Sequence, residues 1–344
     1  MVWQQTGQKG VFSRPIGENE TFIKLVGDAG LPLNREHWAI NSSVTVVPTG
    51  SFASANADLA SRFRQAWAHL RFQHPSLAAE VSPDDDTRLI YTISADRAAL
   101  VGTFSHAVGA IWIPCLGSTT TSPAGTCSAA LALSATTTEA IVAACKARNV
   151  SVTAAVHASV AGANYALADA ANKEKHYTST VRFALRPHLP EPASAAGLYT
   201  TGWMKRIEAG TSWAERLREY QDEYRKGITR DFLDAHREYA KQLGDLIRQG
   251  GDGTPSEVDI SSIGVAEKLI RRSYGTPEAG LEVRAVSVGV EILSRQAVAF
   301  VWTFRDRLNI SVVYNEAFHS AEQMGRFVGA VKSELLEGLG VQDS

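Results

Sequence analysis

The sequence predicts a mixed α/β fold in which helices cover sheets, and three observations support this prediction. Segments with apolar residues at helical spacing alternate with short runs of β-branched and aromatic residues. The chain closes on two successive predicted strands, 296–304 and 308–315, followed by a helix from Ser320. Its 344 residues are enough for two domains or one large two-lobed body. Strands interspersed with helices in this way are typical of a layered α/β sandwich.

The first half of the chain is the less regular one. Residues 1–35 contain seven glycines and prolines that interrupt any periodicity, which predicts an irregular lead-in. The β-branched residues at 44–47 predict a short strand, and the apolar spacing over 57–75 predicts a helix. Alternation over 88–94 predicts another strand. The Ser/Thr/Gly-rich stretch 117–126 has the composition of a linker and indicates a junction.

The second half reads as regular elements from end to end. A capping box, Thr136-x-x-Glu139, predicts a helix start. The predicted elements after it are an Ala-rich helix at 153–171, a strand at 178–185, a charged helix pair at 212–248 interrupted near Gly227, and strands at 258–263 and 282–288 before the closing unit. The last helix opens with a second box, Ser320-x-x-Gln323.

Composition and charge exclude several classes of function. The chain is 44% hydrophobic and 20% charged, with a net charge of −2, so it offers no broad positive field and we expect no nucleic-acid partner. Three cysteines without Cys-x-x-Cys spacing indicate a reducing compartment. Met1 is not followed by a basic and then apolar leader, and the most apolar window, 99–116, is interrupted by polar residues, glycines and Pro114. We therefore expect a cytoplasmic protein with no membrane partner.

Five short motifs, in order, resemble one known family. They are Phe63–Leu77, which contains Leu-Arg-x-x-His-Pro-x-Leu with Phe-Gln in the variable positions, the helix-to-helix turn Ala144–Ala155, the strand end Phe183–Pro187, the Ser-Ser-x-Gly strand end Ile260–Gly264, and the closing hairpin Val301–His319. On these residues the chain resembles the fungal condensation-domain-like, CoA-dependent acyltransferases of the trichothecene 15-O-acetyltransferase type. The resemblance covers roughly 36–100 and 134–340.

This resemblance implies a two-lobed, chloramphenicol-acetyltransferase-like mixed-sheet sandwich. It assigns 1–128 to a truncated N-terminal lobe that ends in the junction and 129–344 to the C-terminal lobe. The family's solvent channel runs between the lobes, with acetyl-CoA or another acyl-CoA entering from one face and a hydroxylated small molecule from the other. A monomer without a metal is the corresponding expectation. In the family a channel histidine is the general base, and the aspartate of its His-x-x-x-Asp motif holds the histidine loop.

That motif is absent from this chain, because none of the nine histidines is followed by aspartate four positions later. The second-lobe motifs also begin soon after the first-lobe strand, which indicates that the section between them is missing. By its place in the order, His106 is the nearest candidate for the base, with Ala110 in the aspartate position. His37 is a weaker candidate because the family does not place its catalysis before the first helix. His157 lies on the Ala-rich helix, where a packing residue is the simpler interpretation.

Five further residues match the strand ends near which the family's channel passes. They are Ser261, Ser262, Gly264, Asn315 and His319. The alternative for the first three is an ordinary turn, and the alternative for Asn315 is a turn or cap residue.

Other chemistries lack their motifs. There is no Gly-x-Ser-x-Gly elbow, no phosphate-binding Gly-x-x-x-x-Gly-Lys-Ser/Thr loop, no Gly-x-Gly-x-x-Gly fingerprint and no metal-ligand spacing. The acidic triplet 84–86 follows Pro83 and reads as a solvated loop. The sequence, with the family resemblance, therefore predicts an O-acyltransferase of the acetyltransferase type that acts on a hydroxyl of a fungal secondary metabolite. The alternatives are a catalytically inactive relative or defective gene product, and peptide-bond condensation on carrier-protein thioesters.

Overall fold

The computed structural model describes residues 3–92, 122–168, 173–188, 199–233, 235, 240 and 257–344, except 29, 34, 55–57, 75, 76 and 78. The described strands are β1 Gln4–Gln5, β2 Val11–Pro15, β3 Ile40–Gly50, β4 Glu80–Val81, β5 Arg88–Thr92, β6 Thr126–Ala132, β7 Tyr177–Ala184, β8 Thr200–Ile207, β9 Val258–Val265, β10 Ser273–Thr276, β11 Ala279–Val290, β12 Ala297–Phe304 and β13 Arg307–Asn315. The described α-helices are α1 Glu18–Asp28, α2 Leu59–Gln73, α3 Ala135–Ala147, α4 Val152–Leu167, α5 Trp213–Lys226 and α6 Ala321–Leu339.

A four-stranded mixed sheet forms the centre of the C-terminal part. Its order is β6-β13-β12-β9, with β12 and β9 parallel and the other neighbours antiparallel. Strand β12 is buried on both faces, which explains its almost continuous apolar sequence. One face carries Ala299, Val301 and Ile310 into a core built with helices α3 to α6. The Ala-rich sequence of α4 lets it pack at the centre of that core, since small side chains allow close approach.

The other face of the central sheet packs against a second sheet, β10-β11-β3. Phe300, Trp302 and Phe304 alternate with the residues of the first core and fill the space between the two sheets. Strand β3 pairs antiparallel with β11 along its whole length. This sheet therefore joins a strand from the predicted N-terminal lobe with two from the predicted C-terminal lobe.

The N-terminal region has its own four-stranded sheet, β1-β2-β5-β4. Strands β7 and β8 form a separate hairpin beside the edge strand β9. Asp259 of β9 is buried and bridges to that hairpin by accepting hydrogen bonds from Thr180 N at 2.9 Å and Arg182 Nη2 at 2.7 Å. Within the described ranges, none of the helices combines the length and the apolar character that crossing a bilayer requires.

The fold confirms the predicted mixed α/β class, and most second-half elements lie where the periodicity places them. The prediction of an irregular lead-in is wrong, because residues 1–35 contain β1, β2 and α1. Its glycines punctuate these elements: Gly10, for example, takes a φ of 79° just before β2. Strand β3 is longer than predicted, and its Pro48 is tolerated because β3 is an edge strand whose outer side needs no donor.

One helix boundary differs from the prediction, and the interruption predicted near Gly227 is confirmed. Helix α3 is capped by Ser134, whose hydroxyl accepts from Thr137 N at 2.9 Å, so the box at Thr136 does not start it. The predicted charged helix pair ends its first helix at Lys226, because Gly227 has a φ of 60°. Strand β6 begins at Thr126, so the predicted lobe boundary at 128 falls inside a strand of the central sheet.

Candidate functional site

An open groove of about 440 Å³ lies where α3 ends, α4 begins and α5 passes over both. Cys145 and Lys146 come from the last turns of α3, and Ser151 and Val152 from the start of α4. Gln221 and Arg225 face them from α5. The sequence turns sharply between α3 and α4 because Asn149 adopts a φ of 54°, a conformation that asparagine tolerates better than most residues.

Hydrogen bonds fix the walls of this groove. The Ser151 hydroxyl caps α4 by accepting from Ala154 N at 3.1 Å, and Ser151 N donates to Gln221 Oε1 at 2.7 Å. Arg225 Nη2 donates to Asn149 O at 2.5 Å, which holds α5 against the turn. The groove is therefore formed before any ligand arrives.

The charges of the groove favour an anion. Of its nine lining residues in the described chain, Lys146 and Arg225 are cationic and none is acidic. The N-terminal end of the 16-residue helix α4, which carries the positive end of the helix dipole, opens into the same space. Cys145 forms part of the floor, and burial raises the pKa of its thiol to about 11. It is therefore a neutral wall residue at physiological pH.

Helix α4 also connects the groove to the predicted Ser-Ser-x-Gly strand end. Thr153 Oγ1 lies 3.3 Å from Ser262 Oγ, and Thr153 follows directly on the groove residue Val152. Alternation along β9 places Ser262 on the helix-covered face with Ile260, whereas Ser261 lies on the opposite face. The two serine side chains therefore lie on opposite faces of the sheet.

Gly264 occupies a bulge at the end of β9. Ser262 pairs with Val301 but Gly264 pairs with the next residue, Trp302, so Ile263 is the extra residue. Gly264 has a φ of 77°, and a Cβ built there would meet nothing within 4 Å. Glycine is favoured here because the backbone has a positive φ, and not because a side chain would lack room.

Asn315 uses every hydrogen bond that its side chain can make. Nδ2 donates to Ala124 O and to Ile292 O, both at 2.8 Å. Oδ1 accepts from Ala124 N at 2.9 Å and from Ala317 N at 3.0 Å. The side chain is fully buried, so Asn315 holds the start of β6 to the loop before β12, and this geometry matches the structural alternative stated above.

In His319, one ring nitrogen is hydrogen-bonded and the other has no partner among the described residues. Nε2 donates to Arg295 O at 2.6 Å, which leaves the lone pair of the neutral ring on Nδ1. Nδ1 is buried and has no hydrogen-bond partner among the described residues. The ring is 8% exposed and stands edge-on to Tyr314.

The structure does not bring all the predicted channel residues together. Ser262 pairs with Val301, whereas Asn315 lies two residues beyond the Val298–Val313 pair. The two positions are thus about five residues apart along the strands, or roughly 16 Å. Ser262 and Gly264 border the groove end of the central sheet, and Asn315 and His319 lie at the other end.

Three other histidines are candidates for the base or for a packing role. His106 lies outside the described residues. His37 Nδ1 accepts from Leu293 N at 3.0 Å, and burial lowers the pKa of His37. In His157, Nε2 lies 2.7 Å from Ser179 Oγ and Nδ1 lies 3.1 Å from Tyr224 OH, while the ring stacks on Tyr220. His157 is a fully bonded core histidine, which agrees with the packing interpretation.

Sequence reasoning missed the groove residues Lys146, Gln221 and Arg225. The helix-to-helix turn at 144–155 was recognised only as a family motif, and its local signal was Lys146 five residues before the helix-capping Ser151. Nothing in the sequence pairs this turn with Gln221 or Arg225, because they come from a helix about 70 residues later.

The sequence of this chain is similar to that of a known fungal acetyltransferase. The chain matches no protein-family model. It is 34% identical over 457 aligned positions to the acetyltransferase pigO of Monascus ruber, covering 100% of this chain and 99% of pigO. Because the chain has 344 residues, about 113 of those positions lie opposite gaps in it.

Two solved structures show the same fold. The trichothecene 15-O-acetyltransferase of Fusarium sporotrichioides superposes with a TM-score of 0.77 at 14% identity, over 97% of this chain and 96% of that one. The condensation domain of the monacolin K polyketide synthase MokA superposes with a TM-score of 0.59 at 10% identity, over 95% and 97%. Together with the similarity to pigO, these matches show that the chain belongs to the condensation-domain-like acyltransferases of fungal secondary metabolism.

Proposed function

We propose that this chain transfers an acetyl or other acyl group from CoA to a hydroxyl group of a fungal secondary metabolite. The observation that carries the proposal is the preformed groove with two cations and a helix N-terminus, adjoining the Ser262 end of β9. The trichothecene enzyme of the same fold is an O-acetyltransferase by name, which supports a hydroxyl acceptor.

The groove supplies what the donor end of the reaction needs. CoA carries phosphate groups at one end and the acyl thioester at the end of a long flexible arm. Lys146 and Arg225 would hold phosphate oxygens by charge-assisted hydrogen bonds, and the start of α4 would add its dipole. The Thr153–Ser262 contact then marks the direction in which the arm leaves the groove.

The chemical step needs one base. The base takes the proton of the acceptor hydroxyl, the oxygen attacks the thioester carbonyl, and the carbon–sulfur bond breaks to release CoA as its thiolate, which takes up the proton. His106 stays the predicted base by its place in the motif order. His319 is the second candidate because its Nδ1 lone pair is free in the described structure and its Nε2 proton is held by Arg295 O.

Release of free thiol tests the activity. The folded chain is incubated with acetyl-CoA and a panel of polyhydroxylated terpenoids and polyketides, beside His106→Ala, His319→Ala and the core control His157→Gln. Loss of thiol release in one of the first two variants, with their circular dichroism unchanged, identifies the base. A folded chain that neither binds CoA nor releases thiol contradicts the proposal.

A catalytically inactive relative is the second candidate. Two observations favour it: no His-x-x-x-Asp occurs in the chain, and about 113 aligned positions of pigO have no counterpart in it. Under this proposal the missing positions held the motif and completed the N-terminal lobe, 1–128. CoA binding by calorimetry without any thiol release would support this candidate over the first.

The proposed donor also fits a cytoplasmic location. Cys145 is a free, buried thiol, and a reducing compartment in which acyl-CoA is available would keep it reduced. Measuring the location of a tagged chain in fungal cells tests this.

A further inference from the structure

The loop between β11 and β12, residues 291–296, has one residue that hydrogen bonds fix at any pH near neutrality. Thr126 Oγ1 donates to Ile292 O at 3.1 Å and accepts from Ile292 N at 3.0 Å. Asn315 Nδ2 also donates to Ile292 O, at 2.8 Å. Neither of these side chains titrates, so Ile292 stays in place whatever happens to the rest of the loop.

The next residue of the loop, Leu293, is held by a group that does titrate. Leu293 N donates to His37 Nδ1 at 3.0 Å. Because a main-chain N–H points at Nδ1, this nitrogen has to carry a lone pair, so the bond forms only with neutral His37 protonated on Nε2. The Leu293 side chain lies against Gly30, where an added Cβ would be 2.6 Å from Leu293 Cδ1. The N-terminal segment therefore contacts Leu293 through both its amide and its side chain.

The groups around His37 offer its protonated form a different partner. Glu291 faces the ring from the loop with its main-chain carbonyl and its carboxylate, and both favour the charged form. Burial acts more strongly in the opposite direction, so the pKa of His37 lies below its ordinary value of 6.5. Arg35 Nε donates to the Glu291 carboxylate at 2.7 Å, and helix α1, which accepts from His37 N, carries Lys24 and Asp28 paired with each other. Glu291 is thus the acceptor that a charged His37 can reach.

The backbone beside His37 is strained. Trp38 has a φ of 66°, a conformation that is unfavourable for a bulky residue. Hydrogen bonds to the loop maintain it: Trp38 N donates to Glu291 O at 2.8 Å, and Glu291 N donates to Ala39 O at 2.9 Å. Losing the neighbouring bond between His37 and Leu293 leaves this strain with fewer contacts to oppose it.

We propose that His37 is a pH-sensitive contact that holds residues 293–295 when it is neutral and releases them when it is protonated. Protonation places a hydrogen on Nδ1, which then opposes the Leu293 N–H, and the ring turns to Glu291. Because the bonds of Ile292 do not titrate, the release is confined to the part of the loop that follows it.

This release reaches His319 at the other end of the loop. Arg295 O accepts the Nε2 proton of His319 at 2.6 Å, so a loosened loop removes the group that orients that ring. His37, in the N-terminal region, would then regulate by pH the orientation of a candidate base in the C-terminal region. The regulatory role rests on the proposed function, whereas the release of the loop does not.

Protection of amide protons against hydrogen exchange, corrected for the intrinsic exchange rate, tests the release between pH 7 and pH 5. In the open loop His37 titrates at its ordinary pKa of 6.5, and in the closed loop its pKa is lower. Opening should therefore become more favourable by up to about tenfold per pH unit as the pH falls below 6.5. The protection of the Leu293 amide should fall by that factor, while the protection of the Ile292 amide should stay constant.

Two variants separate the titration of His37 from other effects of acid. In His37→Asn the side-chain Oδ1 lies close to the position of Nδ1 and can accept from Leu293 N, but it does not titrate. Protection of Leu293 should then be independent of pH. His176→Gln is the matched control, because His176 is exposed directly before β7, and this variant should behave like wild type.

A ¹⁵N spectrum of histidine-labelled wild type gives a readout that needs no variant. At pH 7 the Nδ1 of His37 should carry no proton, and its titration should coincide with the loss of Leu293 protection. A proton on Nδ1 at pH 7 overturns the proposal. So does Leu293 protection that pH leaves unchanged, that His37→Asn loses as wild type does, or that is lost together with the protection of Ile292. None of these measurements uses acyl transfer, so failure of the proposed function would be seen separately.

Discussion

The hydroxyl groups of Thr153 and Ser262 lie 3.3 Å apart and join the first turn of α4 to the end of β9. Because Val152 lines the groove, this contact places the predicted Ser-Ser-x-Gly strand end directly beside it. The residues on the groove side of the contact can be tested for donor binding.

Lys146→Ala and Arg225→Ala should each weaken CoA binding about tenfold, since a charge-assisted hydrogen bond is worth about 1.4 kcal/mol or more. Calorimetric titration with CoA measures this, and the effect should shrink at high salt. Arg326→Ala is the control because Arg326 is an exposed cation at the start of α6, away from the groove. Equal weakening by all three variants would indicate a general charge effect and not a site.

Asn315→Ala should lower the free energy of unfolding by about 3 kcal/mol, because it removes four hydrogen bonds and leaves buried backbone groups unpaired. Asn315→Asp should lower the free energy of unfolding by a similar amount at neutral pH, because it places a carboxylate oxygen against two carbonyl oxygens. Urea unfolding measures both. Asn309→Ala removes a hydrogen bond to Arg307 O at 2.8 Å and a long one to Trp302 O at 3.5 Å, and should cost under about 1 kcal/mol. A loss for Asn315→Ala no larger than that would contradict the role of Asn315 in joining β6 to the loop before β12.

Stability should fall as the pH drops below about 6.5. Burial holds the pKa of His157 well below its ordinary value of 6.5, so below that pH the unfolded chain takes up a proton that the folded chain does not. The free energy of unfolding should then decrease by about 1.4 kcal/mol per pH unit from this group, down to its folded-state pKa. His157→Gln should flatten the slope by that amount. Identical slopes in urea titrations from pH 7 to pH 5 would show that His157 is protonated in the folded state.

Gly264→Ala should destabilise the chain by about 1 kcal/mol, because alanine is strained at a φ of 77° although there is room for its Cβ. Gly264→Asn should lower the free energy of unfolding by less than Gly264→Ala does, since asparagine tolerates this conformation. Gly325→Ala should have the opposite effect. A Cβ at this position would also meet nothing within 4 Å, but Gly325 lies inside α6. The substitution should therefore stabilise the chain by about 0.5–1 kcal/mol. In thermal melts, the melting temperatures of Gly264→Ala and Gly264→Asn should lie below that of wild type, and the melting temperature of Gly325→Ala should lie above it.

The sequence predicts correctly those elements that are determined by residues close to one another along the chain. The closing hairpin and helix follow from unbroken apolar runs and from Ser320, which does cap α6. Gly227 was expected to interrupt the charged helices, and it ends α5. The family resemblance, carried by five local motifs, was confirmed for the same reason.

What depends on distant pairing could not be predicted. No local pattern shows that Gln221 would receive the N–H of Ser151, or that β3 would pair with β11. The sequence predicts Asn315 near the channel from its position after a strand, but no local pattern predicts its hydrogen bonds to Ala124 and Ile292, which the topology brings to it from two other segments. His106 and the channel assignments of Ser261, Ser262, Gly264, Asn315 and His319 stay predictions.

The pairing of β3 with β11 has a consequence for how the chain is made. Gly50 and Ala279 are neighbours in the sheet, yet roughly 230 residues of translation separate them. At about 5–20 residues per second, the ribosome needs roughly 10–50 s to deliver the partner strand. During that interval a nascent, uncharged strand waits outside the exit tunnel with neither edge satisfied. Yield in cells should therefore depend on chaperones that shield residues 40–50 until the partner strand has been made.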